Sequence, residues 1–423
     1  MAESPPGAPG LRFQVQSAFS LAWDSIVAHK LRSFLTLLGV MIGVASVILV
    51  GAAIDGLGTY ADATVSKAFG SKSFILAQVA GQGLTRKQFF EKLKYNRQIK
   101  LADERYLQAE NGDTTLYSAY RNSTTDAKRE NLTSEDTGIV GANSTLADIR
   151  DLDIVDGRFF SSTEDQNAAF VAVIGDDLKR NLFPGTSSPL GKTFKIQDLD
   201  FTVIGVQERL GAAFGQSQDN SAYIPITTFN RLFGPGQSIT VFAKPKDASG
   251  LTMQQAVDLT RVALRTHFHQ RPGQTDRFDF MTPDAIKGFI DNILSLVAAV
   301  VVPITAISLV VGGIVIMNIM LVSVTERTRE IGIRKSLGAR RVDIMLQILI
   351  EAVLMAGAGG AAGVSLGWIA TTIMTSALGV SLRVPPFYVF LSVFVSGAVG
   401  VISGWYPASK ASKLDPIVAL RAD

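Results

Sequence analysis

Phe34 to Ile54 reads FLTLLGVMIGVASVILVGAAI, a run without a single charge. A helix needs about 20 apolar residues to cross a hydrocarbon core of about 30 Å, whereas a buried helix in a soluble core seldom needs more than about 14. The run meets the longer requirement and therefore reads as a transmembrane helix. A secretory signal is the alternative, because Gly51, Ala52 and Ala53 place small residues near its end. A signal's apolar stretch is only about 7 to 15 residues long behind a short basic leader. Here the apolar run is longer than that and begins only at Phe34, so retention as an anchor is expected.

Three further uncharged runs share this character, and each is longer than the first: Asn292 to Thr325, Ala352 to Leu382, and Val384 to Ser409. They account for the composition of the chain, which is 47% hydrophobic and only 18% charged, with mean hydropathy +0.26. Soluble domains carry about a quarter charged residues. The absence of cysteine excludes disulfides, thiolate nucleophiles and Cys-based metal sites, and three histidines offer little for His relays. A net charge of +3 on so long a chain does not point to nucleic acid as the leading partner.

Between the first two runs lies a polar region, Asp55 to Gly288, with 27 basic and 28 acidic residues. Outside it, Arg12, Lys30 and Arg32 precede the first run, six basic residues fall between Thr325 and Asp343, and Lys410, Lys413 and Arg421 follow the last. Only Arg383 occupies the short connection between the third and fourth runs. By the positive-inside bias, both termini and the 325–343 loop are cytoplasmic and the large polar region faces out.

That region reads as mixed α and β. Phe170 to Gly175, Thr193 to Ile196 and Phe201 to Val206 are short β-branched runs between turn residues. Helical patterns cover Arg86 to Ala109 and Thr252 to Phe268. Arg86 to Arg105 is basic and amphipathic; a solvated face is preferred over a membrane-surface helix. The first helix pattern continues past the bilayer through Tyr60, Val65 and Phe69, and the second run is about 50 Å long if helical. Both indicate helical stalks.

Several apparent motifs fail. Gly185 to Thr193, GTSSPLGKT, has five residues between its glycines where a phosphate loop needs four, and Pro189 removes a backbone donor. The sequons at Asn122, Asn131 and Asn143 fit chance occurrence in a polar domain. His267 and His269 would diverge on a helix, so a hydrated helix end is expected. No catalytic constellation stands out. Asn318 and Glu351 are polar residues within apolar blocks; a conduction path is one reading, and interhelical hydrogen bonding by Asn318 with an interfacial Glu351 is the preferred one. Gly357 to Gly363, GAGGAAG, permits close helix packing.

The segment from Asn318 to Met345, NIMLVSVTERTREIGIRKSLGARRVDIM, alternates charge around apolar residues and closes at Gly338. It reads as a short amphipathic helix at the cytoplasmic surface. A positive-inside flank alone would explain its arginines but not its glutamates and glycines.

This segment closely resembles the coupling region of MacB/FtsX-like permeases, the membrane subunits of type VII ABC transport systems. HKLRSFLTLLGVMIGV (29–44), DGRFFSSTED (156–165), VAVIGDDLKRNLFPG with PLGKTFKI, FTVIGV (201–206) and the ending GWYPASKASKLDPIVALRAD (404–423) are similar to the same family; Gly81 to Asn131 resembles it least. The resemblance implies an α-helical membrane protein of the bacterial inner membrane, with four transmembrane helices and a large extracytoplasmic α+β, porter-like domain on helical stalks. The implied division is a cytoplasmic N-terminal segment (1–33), helices at 34–54, 344–378 and 386–406, and a stalk end with the second helix (289–322). The outer domain takes 55–288, the coupling segment 323–343, a short outer loop 379–385 and the cytoplasmic C-terminus 407–423.

MacB proper carries its ATPase ahead of the first helix on the same chain, whereas in this sequence the first apolar run already begins at Phe34. The resemblance therefore implies a stand-alone permease, itself without enzyme activity or bound cofactor, working with a separate ABC ATPase that binds ATP and Mg. Glu326, Arg329, Glu330, Arg334 and Lys335 would contact that ATPase, Ile331 and Ile333 would fill its apolar groove, and Gly332 and Gly338 would permit close approach. It further implies a second permease copy, with a periplasmic adaptor or outer-membrane channel as a further class of partner, and mechanotransmission rather than passage between the helices. An FtsX-like regulator of a cell-wall hydrolase and a lipoprotein-releasing permease are the alternatives; the coupling segment argues against a sensing module without an ATPase.

Overall fold

The computed structural model describes residues 30–70, 72–81, 83–213, 216–236, 238–378 and 382–421. Residues 1–29 of the expected 1–33 segment, with His29 and Arg12, the 379–381 part of the outer loop, and 422–423 lie outside the described residues. The chain divides into two compact units, Met1–Tyr60 with Asn292–Asp423 and Ala61–Asp291.

Helix α1, Lys30–Phe69, contains 40 residues and no proline. At 1.5 Å per residue it is about 60 Å long, roughly twice a hydrocarbon core. It passes unbroken through Tyr60, Val65 and Phe69. It stops at Gly70, whose φ of +85° suits glycine and where a Cβ would lie 2.4 Å from the Ile149 carbonyl oxygen.

In the outer unit, β1 (Phe74–Ala77) leads to α2 (Arg86–Tyr95), α3 (Leu101–Asn111) and a long hairpin of β2 (Thr115–Arg129) and β3 (Leu132–Ala142). Next come α4 (Leu146–Arg150), β4 (Ile154–Gly157), α5 (Ser162–Gln166), β5 (Val171–Ile174), α6 (Asp176–Leu182), β6 (Thr193–Ile196) and β7 (Leu199–Gln207). The short β8 (Ala212–Ala213) and β9 (Gln216–Ser217) precede β10 (Ser221–Pro225), α7 (Ile226–Phe233), β11 (Thr240–Pro245), α8 (Met253–His267) and β12 (Asp279–Met281). Ten strands form one sheet in the order β12-β1-β11-β2-β3-β10-β5-β7-β4, with β6 pairing β2 and β7. The β3–β10 and β5–β7 pairs are parallel.

Strand alternation decides the layers. Phe74, Leu76, Tyr117, Ala119, Val241 and Ala243 share a core with Leu107 of α3 and Val257 and Leu264 of α8. Farther along the same face, Ile139, Ile174 and Ile224 meet Leu178 of α6 and Phe229 of α7. On the opposite face, Ile75, Val140, Tyr223 and Phe242 pack with Leu146 and Ile149 of α4. The rest of that second face opens onto a cavity.

The β-branched runs at 171–174, 193–196 and 201–206 form strands, and 252–268 forms α8, whose N-terminus is a capping box between Thr252 and Gln255. Arg86 to Ala109 is two helices instead of one. Asn96 donates to the Gln78 carbonyl at 2.6 Å, and Ile99, fully buried, accepts from the Ile239 amide at 2.8 Å. These tertiary bonds outcompete the helix through 96–100. α2 buries no residue and exposes Phe89, Phe90 and Leu93 along with its charges.

His267 is another difference. Its Nε2 lies 2.9 Å from Asp103 Oδ1 and its ring stacks on Tyr106 at 4.2 Å, so it docks α8 on α3 instead of ending a hydrated helix. The phosphate-loop lookalike runs into strand β6, where a phosphate loop would open a helix. Asn143 uses its side chain internally, accepting from the Ala119 amide at 2.6 Å and donating to Asp165 at 3.2 Å.

The membrane unit takes α9 (Pro283–Glu326) from Asn292 onward, then α10 (Thr328–Ser336), α11 (Arg341–Leu378), α12 (Pro386–Ser412) and α13 (Pro416–Arg421). Among the described residues four helices, within α1, α9, α11 and α12, are long and apolar enough to cross a membrane. Small residues set their spacing. A Cβ on Gly312 would fall 2.9 Å from the Gly39 backbone, one on Gly363 would fall 2.7 Å from the Met41 carbonyl oxygen, and Gly400 meets Ala356 and Val353 closely as well. The second, third and fourth helices extend beyond the expected ends at 322, 344 and 406, because polar residues continue the helical bonding outside the apolar stretch.

Candidate functional site

The segment joining α9 to α11 is the short helix α10, hinged at both ends. Helix α9 ends at Glu326, and Arg327 breaks the geometry with φ −101° and ψ 14°. At the far end Gly338 adopts φ +99°, while the Gly338 and Ala339 amides bond to the Lys335 and Arg334 carbonyls at 3.1 Å each. That is a helix stop built on a left-handed residue. Nothing in this chain lies within 4 Å of a Cβ placed on Gly338, so within the chain it is the backbone conformation that requires glycine there.

The expected contact residues divide into two sets. Ile331 is 6% exposed within the core of the membrane helices, beside Val324, Ile344 and Ile348, and Gly332 is buried next to it. Arg334 donates to Gln347 Oε1 of α11 at 2.9 Å. The Lys335 ammonium donates to the Ser412 and Leu414 carbonyls, both at 2.7 Å, neutralising the C-terminal end of α12. Burial and the nearby Arg341 lower its pKa from the ordinary lysine value, with Asp415 opposing. These four residues hold α10 to its own chain. Ile331 in particular is sealed against its own chain, whereas the resemblance has it filling a partner's groove.

The outward set is Glu326, Arg329, Glu330, Ile333 and Leu337, all exposed. Ile333 is 44% and Leu337 83% exposed, so the exposed large apolar residues of this segment are Ile333 and Leu337, and not Ile331. The signal was available: with 3.6 residues per turn, 333 and 337 share a face whereas 331 lies roughly opposite.

Behind α10, Arg327 Nη1 lies 3.4 Å from Glu351 Oε1 of α11. Glu351 is 7% exposed, so it is a buried carboxylate paired with Arg327. A small cavity of about 140 Å³ lies among Met320, Arg327, Glu330, Ile344 and Glu351. Asn318, expected to bond between helices, is instead exposed on α9. Arg327 and Gln347 were missed as functional residues because their partners lie 24 and 13 positions away. Among the described residues, no group of three or more His, Asp or Glu side chains is placed to hold a metal.

The fold and this hinged helix define a polytopic membrane protein of permease type with a large extramembrane α+β domain. The MacB-like periplasmic core domain family matches residues 33–261, and the FtsX-like permease C-terminal family matches residues 293–416. The chain belongs to the MacB/FtsX-like permease family. The macrolide export ATP-binding/permease protein MacB of Bdellovibrio bacteriovorus is 36% identical, over 94% of this chain and 60% of that protein. Its counterpart in Rhodospirillum rubrum is 34% identical, over 99% and 63%. The chain thus spans about 60% of the length of the curated relatives it matches. Among solved structures, the periplasmic region of MacB from Actinobacillus actinomycetemcomitans is 20% identical and covers 54% of this chain and 96% of that one, with a TM-score of 0.43. The extracellular domain of the noncanonic ABC-type transporter YknZ from Gram-positive bacteria is 21% identical, covering 50% and 100%, with a TM-score of 0.37.

Proposed function

We propose that this chain is the permease part of an ABC-type export or mechanotransmission system, and that α10 receives the movement of an ATP-binding cassette that binds ATP and Mg. The observation that carries this reading is the division of α10: Arg327, Ile331, Arg334 and Lys335 fasten it to the membrane helices, while Glu326, Arg329, Glu330, Ile333 and Leu337 are left exposed. A helix fastened on one side and both charged and apolar on the other is suited to transmit a push from a docked protein. The continuous helices α1 and α9 would carry that movement toward the outer domain. In this reading α10 and both termini are cytoplasmic, the outer domain is extracytoplasmic, and the membrane is the bacterial inner membrane.

A second copy is the further partner the reading implies. Helix α9 is scarcely covered by its own chain and leaves Asn318 exposed on an apolar surface, where a polar side chain gains from a partner helix. An adaptor, an outer channel or a hydrolase would dock on the outer domain, and MacB-like export is favoured by the core-domain match.

The test is ATPase stimulation by the full chain in nanodiscs with its co-purified cassette. The double reversal Arg329→Glu with Glu330→Arg, and separately Leu337→Asp, should abolish the stimulation while leaving thermal stability unchanged. Arg334, engaged with Gln347, is a poorer target. Full stimulation by both variants would overturn the assignment.

A further inference from the structure

The open part of the second sheet face forms a cavity of about 990 Å³ within the outer unit. That is at the upper end for small-molecule pockets, roughly 300–1,000 Å³. Alternation along neighbouring strands places Ile75, Tyr120, Val140, Tyr223 and Phe242 on its wall, while Phe69 closes one side. Arg150, the last residue of α4, also lines it and is only 7% exposed.

Arg150 has no carboxylate partner among the described residues. Its Nη1 donates to the Tyr223 hydroxyl at 3.2 Å, its guanidinium lies 5.9 Å from the Phe242 ring centroid, and its Nε has no hydrogen-bond partner. A buried charge left unpaired costs several kcal/mol, so a cation in this position is matched to a counter-charge that the chain itself does not supply. The Tyr120 hydroxyl also lacks a hydrogen bond among the described residues; burial raises its pKa, and it lies close enough to Arg150 for that charge to oppose the rise. The Tyr223 hydroxyl, which accepts from Arg150, retains its own proton to donate. Three donors therefore line the same cavity as the apolar Phe69, Ile75, Val140 and Phe242, with Asn122, Ser123, Gln218 and Asn220 elsewhere on its wall.

We propose that this cavity binds a small amphipathic anion: a carboxylate or phosphate monoester head on Arg150, Tyr120 and Tyr223, with an apolar tail along Phe69, Ile75 and Phe242. Charge-assisted bonds to a planar guanidinium suit such oxyanions. The inference is independent of the coupling reading, because binding is measured without nucleotide.

Calorimetry on the full chain in zwitterionic lipid nanodiscs, with empty nanodiscs subtracted, provides the test. Octanoate and octyl phosphate should bind saturably, and octyl glucoside and octylamine at least about tenfold more weakly. Tyr120→Phe removes a hydroxyl that the fold does not use, and should weaken octyl phosphate by about fivefold to tenfold. Arg150→Met should abolish binding, and Arg150→Lys should restore part of it. Loss of octyl phosphate binding in nanodiscs containing anionic lipid would identify a membrane lipid as the occupant, whereas retained binding would identify a free amphiphile; both support the site. Equal binding of octyl glucoside, unchanged affinity in Tyr120→Phe, or no binding at millimolar concentration would overturn it.

Discussion

Replacing Glu104 by glutamine should stabilise the outer domain at pH 8 and leave it unchanged at low pH. Glu104 lies on α3, is 4% exposed, and its carboxyl makes no hydrogen bond or ion pair among the described residues. It lines a cavity of about 400 Å³ with Arg105, Asn143 and Asp165. Burial raises its pKa from 4.5 to about 7, with Arg105 pulling it down and Asp165 pushing it up. The folded protein therefore holds this proton between pH 4.5 and 7, where the unfolded chain releases it. The favourable proton uptake is fully present below 4.5 and is lost as pH rises through 7. At 1.36 kcal/mol for each pH unit, the gap is worth about 3 kcal/mol, or on the order of a hundredfold in the opening equilibrium. Glutamine does not titrate, and the cavity offers its amide polar partners. Hydrogen exchange of peptides covering 101–111 in the full chain, corrected for intrinsic rates, reads this equilibrium. Protection in the wild type should fall by that factor between pH 5 and 8 and stay flat in Glu104→Gln. A wild type as flat as the variant, or a variant less protected at pH 8, would refute the argument from burial.

Three other outcomes follow from the membrane unit. Arg327→Ala removes an ion-pair partner of the buried Glu351 and should lower the unfolding temperature in nanodiscs, while Arg327→Met with Glu351→Leu should recover most of the loss. Lys335→Met removes two charge-assisted bonds to the end of α12, worth about 1.5–3 kcal/mol, and should speed limited proteolysis after Lys413 without altering the outer domain's exchange pattern. Gly363→Val places a branched side chain where a Cβ alone would fall 2.7 Å from the Met41 carbonyl, so α1 and α11 must separate. The variant should denature at lower temperature, and Gly357→Val, with nothing within 4 Å, should not.

Most of the membrane unit was legible in the sequence because bilayer thickness imposes a length rule on single segments. An uncharged run as long as Phe34 to Ile54 needs no tertiary information to be read as a span. The stalk continuation through Phe69 was legible for a related reason, since nothing in the pattern interrupts the helix. The strands at 171–174, 193–196 and 201–206 carry β-branched residues between turn signals and were read locally. The β2–β3 hairpin was not. Its residues 121–137 are rich in Asn, Ser, Thr and charge, and face the cavity and solvent, so no alternation of apolar and polar residues marks them.

The sequence by itself determined the spans, the mixed α and β outer domain, and the position of a charged amphipathic segment between the second and third spans. Only the tertiary structure decided what each residue of that segment does. Ile331 and Ile333 are both isoleucines in one short helix, yet one is sealed among the membrane helices and the other is exposed; Lys335 and Arg329 carry the same charge, yet one is bound to two carbonyls at the end of α12. Helical periodicity sets which residues share a face, but which face meets the protein depends on the direction in which α10 leaves the break at Arg327. The same holds for Arg150, Tyr120 and Tyr223, and for Glu104, whose character comes from desolvation and from neighbours distant in the chain. Burial and long-range pairing are properties of the packed chain, because the free energy of a charge is set by everything that has displaced the water around it.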